Sequence, residues 1–365
     1  MTAAVQLIEW MDLCVELGAS DLHLSVDLPA IFRVNGKLVR YNDALNKSSE
    51  TSEFILCSEL TKNLAQSLMN QQQLAMFAKD SNLDMGYSTD KGHRYRINIY
   101  LEKSHYALAI RYLDGAFRTM RELGLPPQID YLANLKSGLV LVSGATGSGK
   151  STTLTAILNS INQTQAKHVL TIEDPIEVVH KNIKSIFHQR ELYSDVPSFA
   201  NAVKASLRED PDVIMVGEMR DLDTIRAVLT AAETGHLVFS TVHTNNAVGV
   251  IERLVGSFPG DEQIVARQRI AYALKGVVAQ QLLPTANGKG RAVAIESLIV
   301  NAAVSNLIES SKTKQIYSVM ESGSRQGMQT LDQALVKLVK NKKVTEHDAK
   351  AICRDNETFN RLLSL

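Results

Sequence analysis

Cysteine is scarce in this sequence. Cys14, Cys57 and Cys353 are the only three in 365 residues, and no two form a CxxC pair. That excludes a disulfide framework and a zinc knuckle, and it fits inert thiols in a reducing compartment. An excess of charge is missing too: Lys plus Arg number 39, Asp plus Glu number 39, and the pI is near 7.1. Aromatics make up only 5%. Nucleic-acid binders usually carry a basic surplus, so no nucleic-acid partner is expected, and a nucleic-acid translocase ranks last among the functions considered. No run approaches the 18 apolar residues of a membrane span. Glu9, Asp12 and Glu16 interrupt the apolar pattern of the first twenty residues, so no signal peptide is expected there, and a cytoplasmic location is.

The chain is longer than a single core usually serves, which predicts two domains. Residues 4–17 place apolar side chains at helical spacing, with Gly18 to close the end. In "IFRVNGKLVR" (31–40) an Asn-Gly pair joins two alternating runs, a strong hairpin signal. Residues 58–78 read as helical. Residues 93–100 and 105–113 alternate as a second hairpin. With "LEKS" as its four-residue loop, Arg94 stands across from Arg111 on the polar face that also carries Arg96. Like charges directly opposite repel. Either the register differs, or an anion visits that face, or it is a solvated basic edge. Gly124, Pro126 and Pro127 mark a boundary. The expected organisation is a domain at 1–115, a linker at 116–127 and a second domain at 128–365.

Beyond the boundary, short apolar strands at 139–142, 169–172, 213–216 and 237–241 alternate with helical segments. That is the α/β texture of a parallel sheet covered by helices. Near the end "TLDQALVKLVKN" is helical, and "TEHD" (345–348) reads as a capping box opening the last helix.

The first of these strands runs into "GATGSGKSTT", where Gly144, Gly149, Lys150 and Ser151 stand in GxxxxGKS spacing. Glycines let the backbone curl so that its N–H groups meet phosphates, and the helix that follows adds its positive end. Lys150 is placed to reach the β- and γ-phosphates, and the Ser151 hydroxyl to bind Mg²⁺. The candidate nucleotide site is Gly144, Thr146, Gly147, Ser148, Gly149, Lys150, Ser151 and Thr152, with ATP and Mg²⁺ as cofactors.

"HVLTIEDPIE" (168–177) is a second strand ending in acids, and either Glu173 or Glu177 supplies metal charge through water. "VIMVGEMRD" (213–221) has Gly217 where nucleotide hydrolases usually carry Asp, and Glu218 after it. The glycine lets the strand turn, and Glu218 positions or deprotonates the attacking water. His236 and His243 flank the fourth strand, each either structural or functional. Phosphoryl transfer needs further positive charge, often an arginine from a neighbouring subunit. Arg94, Arg96 and Arg111 are the candidates.

These motifs resemble those of the secretion and pilus motor ATPases, and within them the PilT-like type IV pilus retraction ATPases. The resemblance covers nearly the whole chain. "GASDLHLS" (18–25) is similar to the family's N-terminal signature, "TIEDPIE" to its aspartate box, "SLREDPDVIMVGEMRD" to its Walker B region and "TAAETGHLVFSTVHTNNA" to its histidine box. The family's Walker B carries Gly-Glu, so Gly217 is not a lesion. The resemblance implies Glu218 as catalytic glutamate, Glu173 as the aspartate-box glutamate, His243 as the histidine-box residue, and the N-domain arginines Arg94 and Arg96, with Arg111 on a weaker match. It also implies a PAS-like α+β domain followed by a RecA-like P-loop ATPase domain, assembled as a homo-hexamer. The hexamer would work peripherally at the inner membrane, on a pilus platform protein and alongside a paralogous retraction ATPase. Pilus assembly ATPases carry a four-cysteine zinc motif that three scattered cysteines cannot make. Two departures stand out. In "AAVSNLIESS" (302–311) Ser305 replaces the arginine of an AIRNLIRE-like helix. "LYSDVPSFANAV" (192–203) is closer to the PilU-like accessory paralogues. An accessory subunit or ATP-dependent switch is therefore the alternative.

Overall fold

The structure is a computed structural model, and it describes residues 3–45, 53–113, 115 and 117–365. Of the expected linker, residue 116 lies outside the described residues, as does residue 114 just before it. The chain forms two compact units. One gathers residues within Met1–Ala116 together with Glu173–Val179 and Arg190–Pro197. The other comprises Phe117–Ile172, His180–Gln189 and Ser198–Leu365.

The first unit carries an antiparallel sheet of β1 (Ala19–Leu24), β2 (Ile31–Val34), β3 (Lys37–Arg40), β4 (Asn82–Ser88), β5 (Arg94–Glu102) and β6 (His105–Leu113), in the order β3-β2-β1-β6-β5-β4. Alternation sets its faces: Tyr95, Ile97 and Ile99 of β5 are fully buried, packed with Trp10 and Met11 from the helix Ala3–Glu16. The β2–β3 hairpin closes through Asn35 and Gly36, both with positive φ, as expected.

Residues 58–78 are helical, as expected, but in two pieces, Ser58–Leu68 and Gln71–Asp80. They part because Asn70 caps the second: its side chain accepts from Gln73 N–H while the Gln73 side chain accepts from Asn70 N–H. The second hairpin does not use a four-residue loop. β5 and β6 run on to Glu102 and His105 and turn through Lys103 and Ser104, both with positive φ. The register therefore moves by two, setting Arg94 across from Leu113 and Arg96 across from Arg111.

The second sheet contains β7 (Gly138–Ser143), β8 (His168–Glu173), β9 (Ile186–Glu191), β10 (Val213–Val216), β11 (Leu237–Val242), β12 (Leu274–Pro284) and β13 (Arg291–Ile299), in the order β13-β12-β7-β11-β10-β8-β9. The four expected strands are β7, β11, β10 and β8, neighbours in that order and parallel. β7, β10 and β11 are buried at every residue, the mark of a sheet covered on both faces. β12 adds a further parallel strand beside β7, and β13 returns antiparallel to it. Thr345 caps the helix Glu346–Ile352 by accepting from Asp348 N–H, but that helix is not the last: Asn356–Ser364 follows, capped by Asp355.

Candidate active site

β7 lies between β11 and β12 and delivers the chain to a phosphate loop at the carboxyl edge of the sheet, the edge where parallel α/β sheets bind ligands. The helix Lys150–Thr164 starts immediately after the loop. The tightness of the loop explains its glycines. At Gly144 the backbone has φ of 149°, and a Cβ there would lie 2.4 Å from Ser148 Oγ and 2.5 Å from the Gln280 carbonyl oxygen. Lys150 is 9% exposed, and its ammonium donates to the carbonyls of Gly144 and Ala145, each at 3.0 Å. Burial lowers its pKa from the usual lysine range, and the nearby Glu218 carboxylate opposes the shift.

Glu218 follows β10 one residue past Gly217. The chain bends at that glycine, as expected, yet keeps its pairing. Gly217 N–H donates to the Ile172 carbonyl at 2.8 Å, Met219 N–H donates to Thr241 at 3.1 Å, and the Thr241 hydroxyl donates to the Gly217 carbonyl at 2.7 Å. Hydrogen bonding to both neighbouring strands thus continues past the end of β10, and Glu218 projects from a backbone held on two sides. Its side chain is 13% exposed; one oxygen pairs with Arg220, and the other accepts from His243 Nε2 at 3.4 Å. So the second unit brings together the phosphate loop, Lys150, Glu218 and His243. His236 stands apart at the opposite end of β11, its ring on Thr234 and the Ala231 carbonyl, a structural role.

The remaining candidates belong to the first unit. Glu173 ends β8, and Glu177 lies four residues on in the same segment. Arg94 is fully engaged: Nε donates to the Ile176 carbonyl at 2.9 Å, Nη1 to Ser88 Oγ at 3.1 Å, and Nη2 pairs with Glu191. Arg96 makes a forked contact with Asp84, Nε lying 2.9 and 3.1 Å from its two oxygens. Arg111 Nε donates to Asp21 at 2.9 Å. Arg94 is 14% exposed, Arg96 40% and Arg111 63%.

Three residues of these constellations escaped the sequence reading. Arg220 pairs with Glu218, Glu191 pairs with Arg94, and Gln280 of β12 hydrogen-bonds the phosphate loop. Gln280 left a visible trace: a polar side chain inside the apolar run "GVVAQQLLP".

A family model described as type II/IV secretion system protein matches residues 14–362. The type IV pilus retraction ATPase PilT of Pseudomonas aeruginosa is 39% identical over 97% of this chain and 100% of its own. The chain belongs to the type II/IV secretion proteins, and within them to the PilT-like pilus retraction ATPases. The type IV pilus ATPase PilU of the same organism is 36% identical over 93% of this chain and 86% of its own. A crystal structure of the pilus retraction motor PilT with bound ADP superposes with a TM-score of 0.86 at 41% identity, covering 97% of this chain and 98% of that one. The fold is accordingly that of PilT-like ATPases, an N-terminal domain followed by a RecA-like ATPase domain, and the chain is a nucleotide-binding ATPase. Among the described residues no helix is long and apolar enough to cross a membrane.

Proposed function

We propose that this chain is a motor ATPase that hydrolyses ATP to drive type IV pilus retraction and so twitching motility, acting as a cytoplasmic homo-hexamer at an inner-membrane platform protein. The observation that carries the reading is the placement of Glu218 beside His243 at the end of β10, in the same unit as a complete phosphate loop. Water attacks the γ-phosphorus, the bond to the leaving ADP oxygen breaks, and Glu218 orients the water and takes its proton. Lys150 exchanges its two carbonyl partners for phosphate oxygens. His243, bonded to Glu218, positions that carboxylate, and Arg220 neutralises it between turnovers.

Among the described residues no cluster of His, Cys, Asp and Glu is built to cage a metal. The exposed Ser151 beside Lys150 fits Mg²⁺, which keeps several waters and binds through few protein ligands. Mg²⁺ would spread the charge of the β- and γ-phosphates. Arg96 and Arg111, the more exposed of the three arginines, suit a contact made to a neighbouring subunit's nucleotide better than Arg94 does.

ATP turnover per subunit, measured across protein concentration, tests the reading. A steep rise with concentration is expected of a site completed by a neighbour. A rate near zero at every concentration would favour a PilU-like accessory role, for which Ser305 speaks: its hydroxyl donates to the Ala271 carbonyl at 3.1 Å, so it offers no cationic head where the retraction ATPases carry arginine. In that case a Glu218→Gln copy would still rescue retraction in a deletion strain.

A further inference from the structure

The phosphate loop is tied to β12 through one buried amide. Gln280, 1% exposed, sits one residue beyond the point where β12 pairs with the end of β7, Ala279 facing Ser143. Its Nε2 donates to the Ser148 carbonyl at 2.5 Å, and its Oε1 accepts from the Thr153 hydroxyl at 2.9 Å. Thr153 is itself 2% exposed and lies in the first turn of the helix that follows the loop. The Ser148 carbonyl can only accept, so it decides which way the amide faces, and the Thr153 hydroxyl, which can donate or accept, satisfies the Oε1 that is left. The amide then has its donor side on the loop. Gly149 completes the fit: a Cβ there would lie 3.2 Å from Gln280 Nε2, on backbone with φ of 88°.

A trans peptide holds its C=O and N–H in opposite directions. Pulling the Ser148 carbonyl outward onto Gln280 turns the Gly149 N–H inward, to the side of the loop where phosphates are cradled. We propose that Gln280 is a positioning residue for nucleotide binding: its amide, braced at Oε1 by Thr153, sets the Ser148–Gly149 peptide so that the Gly149 N–H points at the phosphates. The proposal rests on the reading of the loop as a nucleotide site. Within the loop itself, Ser148 N–H donates to the Ala145 carbonyl and the Lys150 ammonium to the carbonyls of Gly144 and Ala145, so these bonds leave the Ser148 carbonyl to Gln280.

The test is MgADP affinity of the full chain by titration calorimetry, with the nucleotide-free melting curve recorded for each variant. Gln280→Leu removes both bonds and Gln280→Glu keeps the acceptor but sets a carboxylate against the Ser148 carbonyl. Each is expected to weaken MgADP at least tenfold while still showing a cooperative melt. Thr153→Val removes only the bracing hydroxyl and is expected to weaken binding two- to fivefold. A purely structural glutamine would lower the melting midpoint and leave the affinity of the folded protein alone. Folded Gln280 variants within twofold of the parent affinity overturn the proposal. Should Gln280→Leu fail to fold, Thr153→Val decides: parent-like affinity overturns the proposal and weakened affinity supports it. A parent chain that binds no MgADP overturns the nucleotide reading itself, and the proposal with it.

Discussion

Arg96 on β5 and Arg111 on β6 stand directly opposite one another, and each is held by a carboxylate from its outer neighbour strand, Asp84 of β4 and Asp21 of β1. Two like charges face each other across the strands, and two opposite charges flank them. The row is tolerable because its net charge is zero, and the guanidinium ends remain partly in water. Arg96→Ala is expected to lower turnover at saturating ATP by at least tenfold and to change ATP affinity far less, the pattern of a contact made in the transition state. Steady-state kinetics separate the two quantities. Weakened affinity with intact turnover would make Arg96 a ground-state clamp.

Arg94 is a different kind of residue. Its partner Glu191 is 8% exposed and accepts also from the N–H groups of Gly86 and Ile176. Removing the arginine leaves a carboxylate buried among neutral donors. Arg94→Ala should cost roughly 3–5 kcal/mol of stability, read as a lowered denaturant midpoint. A loss below about 1 kcal/mol would mean that the neutral donors suffice.

Glu218→Gln keeps the size of the side chain and its contact with His243, and removes the base. Turnover should fall by a factor of about 10²–10⁴, with MgADP affinity within about threefold of the parent. Unchanged turnover would take Glu218 out of the mechanism.

His180 offers a pH test away from the site. Its ring stacks on Phe187 at 4.4 Å and meets Phe117 at 5.1 Å, and burial pushes its pKa from 6.5 down to about 4. The folded chain thus prefers the neutral ring. That preference adds stability in full above pH 6.5, and the stability is lost as pH falls from 6.5 toward about 4. At pH 5 the loss from this group is about 2 kcal/mol. His180→Phe should flatten the decline in unfolding free energy between pH 7 and pH 5 by that amount. An unaltered slope would show that the ring is hydrated in the folded state.

The legible parts of this protein are those where one residue type answers one local demand. Glycines at 144 and 149 answer a backbone too close for Cβ atoms, and the all-apolar strands β7, β10 and β11 answer burial on two faces. The phosphate loop, Lys150 and the β10–Glu218 step could be read from neighbours in sequence. The β5–β6 register could not, because a loop of two or four residues preserves the alternation and moves every partner. Gly217 signals the bend that follows β10, but not the hydrogen bonds to both neighbouring strands that continue past it. β12 and β13 were missed because Lys275, Gly276, Gln280 and Gln281 break the apolar run, though Asn287 and Gly288 carry a turn signal between them. Gln280 and Glu191 act on residues more than ninety positions away, which no local pattern encodes.

Glu173–Val179 and Arg190–Pro197 belong to the same compact unit as the N-terminal sheet. Ser194 accepts from Gln73, and Glu191 seats Arg94. A fragment cut after residue 116 would therefore lack two of its own pieces, and the remainder would carry two plugs with no socket. Halves of this protein could not be traded between relatives as separate cassettes unless these short inserts travelled with the N-terminal half. Any chimera respecting only the linear order of the chain should express as an unstable protein, and one that exchanges the inserts as well should recover its fold.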